Sequence, residues 1–248
     1  MNYTGSNIVG HVQSIAITDT KGQAVLDRHS YEGLTNLLRQ SAADPEVRVV
    51  VLRGISGCFC KGGDLSEFLD RTKHPLLISA VTDLFQTLAE FPKPLIASVD
   101  GDATGVGCTI LFHCDMVFAS ERSTFRVPFV DFGLMPDAAT SMLAPERMGY
   151  MNAFRFFCLG ETLDVEAAKS CSIVSDLVSS EHIVSQTMLA ARKLAKKPQH
   201  SLTRTRELLR GDRSGLRARI DHEIALFQCA LQDERTIRRL SRIAKLAA

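Results

Sequence analysis

Apolar positions along the chain fall into two modes: short solid runs, and stripes at helical spacing. Residues 8–18 (IVGHVQSIAIT) partly alternate, which predicts an early strand. Over residues 30–43 (SYEGLTNLLRQSAA) the stripe Leu34, Leu37 and Leu38 predicts a helix, with Ser30 as its N-cap and Asp44-Pro45 as its stop. Residues 47–52 (VRVVVL) are a β-branched run without alternation, the pattern of a buried strand, and Gly54 and Gly57 end it. Residues 94–99 (PLIASV) repeat that pattern ahead of a glycine-rich stretch, Gly101–Gly107. The apolar segment 108–114 (CTILFHC) reads as a helix, and Met116–Ala119 as another short strand. Strands alternating with helices predict an α/β architecture. After about residue 187 the pattern becomes helical throughout, and the last segment lacks Gly and Pro over about thirty residues, which predicts a long helix or a helix pair. The expected organisation is an α/β core over residues 1–190 and a helical region over 191–248.

Composition narrows this little. The 248 residues are 45% hydrophobic and 23% charged, which excludes disordered, collagen-like and disulfide-scaffold classes. The length suits one large domain, or one domain with an appendage. Charge adds more. The net +1 hides a division: residues 192–248 carry 15 Lys+Arg against 6 Asp+Glu, and the preceding residues carry 14 against 22. An acidic body is thus joined to a basic tail. The N-terminus, MNYTGSNIVGHV, has neither the basic nor the apolar region of a signal peptide. No apolar run approaches the ~18 residues of a membrane span. The seven cysteines (58, 60, 108, 114, 158, 171 and 229) are scattered and form no CxxC pair, so they read as reduced thiols of a cytoplasmic protein.

Two glycine-containing loops each follow a predicted buried strand. The first is Gly57-Cys58-Phe59-Cys60-Lys61-Gly62-Gly63-Asp64; the second is Asp100-Gly101-Asp102-Ala103-Thr104-Gly105-Val106-Gly107. Neither matches GxxxxGK[ST] or GxGxxG, so phosphate and dinucleotide loops gain no support. Glycines let backbone approach a ligand closely. The apolar run after Gly107 would place the amides of Val106 and Gly107 at a helix N-terminus, a place for negative charge. Two loops each aiming one amide at one point would form an oxyanion hole.

The blocks VRVVVLRGISGCFCKGGDL, PKPLIASVDGDATGVGCTILFHCDMVFAS, TFRVPFVDFGLMPD and MGYMNAFRFFCLGETLDVEAAKSCSIVSDLV together resemble the crotonase superfamily, the enoyl-CoA hydratase/isomerase family, over roughly residues 8–190. The resemblance implies a spiral of ββα units followed by a C-terminal helical trimerisation region, and hence a homotrimer or a hexamer. It implies acyl-CoA thioesters as ligands, with coenzyme A part of the substrate and no further cofactor or metal. The thioester oxygen would sit between the amides of Gly63 and Val106, with Cys60, Lys61, Gly62 and Gly105 beside it. Such a hole stabilises an enolate, and losing one donor typically costs about 2.7–4 kcal/mol.

The family's reactions differ in the side chains around that enolate. Family hydratases carry two glutamates, whose places here are Thr109 and Phe129. Neither residue does acid–base work near neutral pH, so a two-glutamate hydration is not expected. Asp137, in Leu134-Met135-Pro136-Asp137, resembles the single carboxylate of Δ3,Δ2-enoyl-CoA isomerases, with Asp in place of Glu and a reach shorter by roughly 1.5 Å. Asp137 would take a proton from C2 of a 3-enoyl-CoA and return it at C4. Phe129, Phe132 and Met135 would raise its pKa by desolvation. The same hole also serves hydratases, hydrolases and decarboxylases, and loss of both glutamates also fits a non-catalytic acyl-CoA binder; these readings stay open.

Other candidates have ordinary structural readings. Asp137 follows a proline before a helix and fits a cap; Asp64 fits a cap as well. His113 sits in an apolar helix and fits a core histidine, and Cys58 and Cys60 fit small buried thiols. Asp131 and Glu161 are the alternative carboxylates to Asp137, with Glu161 after a predicted helix end at Gly160 that gives it a surface reading. The family segment that contacts adenine is replaced by Thr18–Leu26. The tail holds only one aromatic residue, Phe227, which disfavours nucleic acid as its partner. Oligomerisation, or the phosphates of coenzyme A, are its expected uses.

Overall fold

β-Branched runs of four or five residues cannot bury themselves alone, and here they stack side by side. The computed structural model describes residues 6–19 and 21–247. Thr20, within the Thr18–Leu26 segment, and the first five residues of the expected leaderless N-terminus lie outside the described residues. A hairpin of β1 (Ser6–Val9) and β2 (Val12–Ala16) leads to helix α1 (Arg28–Ala43). Three ββα units follow. They are β3 (Val49–Arg53), β4 (Cys58–Cys60), α2 (Leu65–Leu69) and α3 (His74–Glu90); then β5 (Leu95–Val99), β6 (Asp102–Thr104) and α4 (Val106–Thr109), which a 3-10 turn continues through Ile110–His113; then β7 (Met116–Ser120), β8 (Thr124–Arg126), α5 (Phe129–Phe132), α6 (Thr140–Met148) and α7 (Tyr150–Cys158). The chain ends with β9 (Leu163–Asp164), α8 (Val165–Ser170), β10 (Asp176–Val178), α9 (Ile183–Ala195), α10 (Gln199–Arg210), α11 (Leu216–Gln232) and α12 (Glu234–Ala247).

Each unit sends its first strand to one sheet and its second strand to another. The six-stranded sheet has the order β1-β2-β3-β5-β7-β10 and the four-stranded sheet the order β4-β6-β8-β9. The pairs from β2 to β10 in the first sheet are parallel, as are β4–β6 and β6–β8 in the second. Advancing one strand per unit in both sheets produces the expected spiral. The main core lies between the sheets and under α1 and α3, around Leu34, Leu52, Phe85, Leu95 and Phe125. A second cluster joins the outer face of the larger sheet (Val49, Val51, Ile96, Phe118) to α9 through Ile183, Ala191 and Ala195. Residues 190 and 191 fall inside α9.

One cap differs from expectation. Asp27, not Ser30, caps α1: its carboxylate accepts from the Ser30 amide at 2.8 Å, and Ser30 is fully buried in the first turn. The helix therefore starts before its apolar stripe does. The thirty-residue tail pattern is a helix pair, broken at Asp233. Among the described residues no helix is long and apolar enough to cross a membrane, and all seven cysteines are free thiols.

Candidate active site

Parallel pairing of β4 with β6 sets their following loops side by side. The first loop is propped by residues 24–26: the Lys61 amide donates to Ala24 O at 2.7 Å, the Asp64 amide to Leu26 O at 2.9 Å, and the Leu26 amide to Gly62 O at 2.9 Å. This ladder uses the Gly62 carbonyl and the Asp64 amide on either side of Gly63, and leaves the Gly63 N–H without an acceptor among the described residues. Glycine is required there, because an added Cβ would lie 2.6 Å from Phe68 Cε2 and 3.0 Å from the Tyr31 hydroxyl. Asp64 caps α2 by accepting from Ser66 N at 2.8 Å, so its role is structural.

The second loop ends at Gly105, whose amide donates to Arg126 O at 2.9 Å. Gly105 O then accepts from the amides of Cys108 and Thr109. The Val106 N–H, at the first helical position, has no acceptor within the helix. Gly107 lets α4 settle on β4: a Cβ there would lie 2.5 Å from the Cys60 carbonyl oxygen.

Both loops open on one cavity of about 120 Å³. Lys61, Gly62, Gly63, Gly105, Val106, Phe129, Phe132 and Asp137 line it, joined by Tyr31, Phe68 and Phe227. Among the described residues Asp137 is the only carboxylate in that wall. It is 7% exposed and its Oδ1 has no hydrogen-bond partner among the described residues. Burial pushes its pKa from an ordinary 3.8 up to about 7; a hydrogen bond from Thr109 opposes that rise, and the charge of Glu223 adds to it. Burial also holds the Tyr31 phenol well above its usual 10, with Asp137 the next contributor, so Tyr31 presents a protonated hydroxyl.

Cys60 and Thr109 lie behind the wall, fully buried, instead of lining the cavity. The Cys60 thiol is pushed up to about 12 by burial, and Thr109 acts on Asp137. His113 is fully buried and pushed down to about 3, so it is a neutral core histidine. Asp131 pairs with Arg126 at 2.9 Å and Glu161 with Arg155 at 3.0 Å; neither reaches the cavity. Asp137 does not cap α6, whose N-cap position is Ala139.

The basic charge of the tail suggested a use at the site mouth, but no pattern in the sequence singled out the tail residues that reach the cavity. Phe227 of α11 packs edge-on against Phe68 at 5.7 Å between ring centroids. α12 reaches α5 through Thr236, whose hydroxyl donates to Gly133 O, and Arg239, which donates to Asp131 O. Outside the inner cavity, and sharing Phe132 with it, lies an open cavity of about 750 Å³ lined by Arg126, Arg238, Arg239 and Arg242. The i, i+3 and i, i+4 spacing of Arg235, Arg238, Arg239 and Arg242 is the signal that marks this basic helix face.

An inner cavity of that size is smaller than the roughly 300–1,000 Å³ of common ligand pockets. It has room for the reacting end of a small substrate only, and the arginines of the outer cavity lie beyond it. The arrangement supplies two free amides for a developing oxyanion and one poised carboxyl group for proton transfer.

Residues 8–240 match the family model described as enoyl-CoA hydratase/isomerase. The chain is 30% identical over 195 residues to the 2,3-dehydroadipyl-CoA hydratase of Escherichia coli (strain K12), a match covering 78% of this chain and 76% of that protein. It is 26% identical over 207 residues to enoyl-CoA delta isomerase 2 of Rattus norvegicus, covering 81% of this chain and 52% of the rat protein. The crystal structure of an enoyl-CoA hydratase/isomerase from Pseudoalteromonas atlantica T6c superposes with a TM-score of 0.89 at 28% identity, covering 98% of this chain and 96% of that one.

Proposed function

The chain belongs to the enoyl-CoA hydratase/isomerase family, and we propose that within it the chain is a Δ3,Δ2-enoyl-CoA isomerase. One observation carries this reading: among the described residues, Asp137 is the sole carboxylate lining the cavity onto which the Gly63 and Val106 loops open. Asp137 removes a proton from C2 of a 3-enoyl-CoA. The electrons pass into a dienolate, whose oxygen accepts from the Gly63 and Val106 amides. The protonated Asp137 then delivers the proton to C4, leaving the double bond between C2 and C3. Atoms and electrons balance without water, metal or redox cofactor. A carboxyl group with a pKa near 7 serves both halves at neutral pH. Hydration would need a second acid–base group to activate water, and Thr109 and Phe129 occupy the positions where the family's hydratases carry theirs.

The phosphates of coenzyme A are assigned to the cavity lined by Arg126, Arg238, Arg239 and Arg242, where Asp131 pairs with Arg126 and leaves the three arginines of α12 as the surplus positive charge that complements them. A cytoplasmic location fits the free thiols. Assembly into a homotrimer or a hexamer is supported by the apolar residues left exposed on α7 and α10, among them Tyr150, Met151, Leu208 and Leu209, which suit a subunit interface. The test is conversion of a 3-enoyl-CoA to the trans-2-enoyl-CoA, followed by absorbance of the conjugated thioester. The wild type should catalyse it, and Asp137→Asn should lose about 10²–10⁴-fold in rate. An inactive wild type, or a fully active Asp137→Asn, overturns the assignment.

A further inference from the structure

The loop that carries Asp137 adopts a conformation its own residues disfavour. Ala138 and Ala139 follow it with φ of +56° and +58°. In this left-handed region an alanine Cβ crowds the next carbonyl oxygen. Such backbone persists only where its surroundings hold it.

The single peptide group between these alanines is held at both ends. Its carbonyl, Ala138 O, accepts from His113 Nε2 at 2.8 Å. Its N–H, on Ala139, donates to Glu223 Oε2 at 2.6 Å. Glu223 Oε1 also accepts from the Ser141 amide at 3.0 Å and the Ser141 hydroxyl at 2.5 Å. The Asp137 carbonyl is tied down by the Thr140 amide and hydroxyl at 2.9 and 2.6 Å. His113 is 0% exposed and Glu223 3%, and the isomerisation uses neither. Burying a carboxylate and an imidazole is costly unless they are bonded; here the Glu223 carboxylate and His113 Nε2 bond to this loop, while His113 Nδ1 has no partner among the described residues.

Their positions join the loop to the rest of the site. His113 ends the helical stretch that begins at Val106, so the segment supplying an oxyanion donor also grips the acid loop. Glu223 lies one turn before Phe227, which lines the cavity.

We propose that Glu223 and His113 are positioning residues for Asp137, acting through the Ala138–Ala139 peptide to hold its carboxylate against the oxyanion hole. This rests on the reading of Asp137 as the acid–base group. The titratable and charged groups around Asp137 are Glu223 from α11 and Tyr31 from α1, with Lys61 in the same cavity wall, while His113 of the 3-10 turn touches the adjoining Ala138 carbonyl. Arg219 approaches Glu223 through the Ser141 hydroxyl, at 3.4 Å.

The experiment compares wild type, Glu223→Gln and Glu223→Ala in two ways. In the isomerase assay, Glu223→Ala should lower kcat by up to about 100-fold, as a misplacement near 1 Å does, with KM for the thioester within about twofold. Glu223→Gln keeps the shape, and its amide oxygen can retain one backbone contact, so it should recover part of that loss. The second measurement follows the Asp137 carboxyl carbon by NMR through a pH titration of the substrate-free protein. Its midpoint should fall in Glu223→Gln, because a neighbouring negative charge is gone. An unmoved midpoint together with wild-type kcat overturns the proposal. So does a loss confined to thermal stability. If the wild type shows no isomerase activity, the function assigned to the site fails, while the titration still decides whether Glu223 acts on Asp137.

Discussion

Replacing Asp137 by asparagine should make the protein slower and more stable at the same time. Asparagine keeps the shape of the neutral acid and carries no charge to desolvate. The folded pKa is about 7 against an ordinary 3.8. At 1.36 kcal/mol per pH unit, ionising Asp137 in the folded protein costs about 4 kcal/mol more than in the unfolded chain. Since the group is buried, solvent screening removes little of this. The sign follows from proton counts. Between pH 3.8 and about 7 the folded chain holds a proton at Asp137 that the unfolded chain has released, so this group's contribution to stability falls as pH rises through that window. Above about pH 7 the whole penalty applies, and below 3.8 none does. Urea unfolding of wild type and Asp137→Asn, run from pH 4 to 9, reads the difference directly. The variant should gain up to about 4 kcal/mol near pH 8, on the order of 10 °C in Tm for a chain of this size. The gain should vanish near pH 4. A variant that is less stable than wild type at pH 8, or a gap independent of pH, would refute the claim that burial raises this carboxyl.

Three further outcomes test other parts of the site. Gly63→Ala forces Phe68 and Tyr31 to move and shifts the amide between them; kcat should fall about 10²–10³-fold with thermal stability mostly kept, and a wild-type rate would remove Gly63 from the oxyanion hole. Replacing Arg238, Arg239 and Arg242 together by alanine should raise KM for the thioester about tenfold and flatten its dependence on salt; a KM that stays put would mean the coenzyme A phosphates bind elsewhere. Ending the chain near residue 192 should cost assembly and CoA-ester affinity together, and the core as well, because Leu216, Ile220, Phe227 and Leu231 are buried in it. A soluble, oligomeric truncation with full affinity would contradict this.

What could be read from the residues alone was local. The runs 47–52 and 94–99 became β3 and β5, because a β-branched stretch buried on both faces needs no partner to declare itself. The loops after β4 and β6 and the amides of Val106 and Gly107 were marked by glycine placement, whereas the roles of Gly63 and Asp137 came from the family resemblance of the surrounding blocks. The caps were less legible. Ser30 looked like the start of α1 because the apolar stripe begins beyond it, yet Asp27 three residues earlier takes that role. β4, β6 and β8 are three residues each, too short to show a period, so the second sheet was visible only once they paired.

The rest was decided by long-range packing. Tyr31, Glu223 and Phe227 meet Asp137 from distant parts of the chain, and no spacing rule links them. Glu223 sits in a helix of a basic, largely exposed tail, where a glutamate reads as surface charge; only the docking of α11 on α3 and the Asp137 loop buries it. The same holds for Asp137. Its identity as a carboxyl group was written in the sequence, whereas its pKa near 7 comes from the low dielectric that the assembled walls create around it.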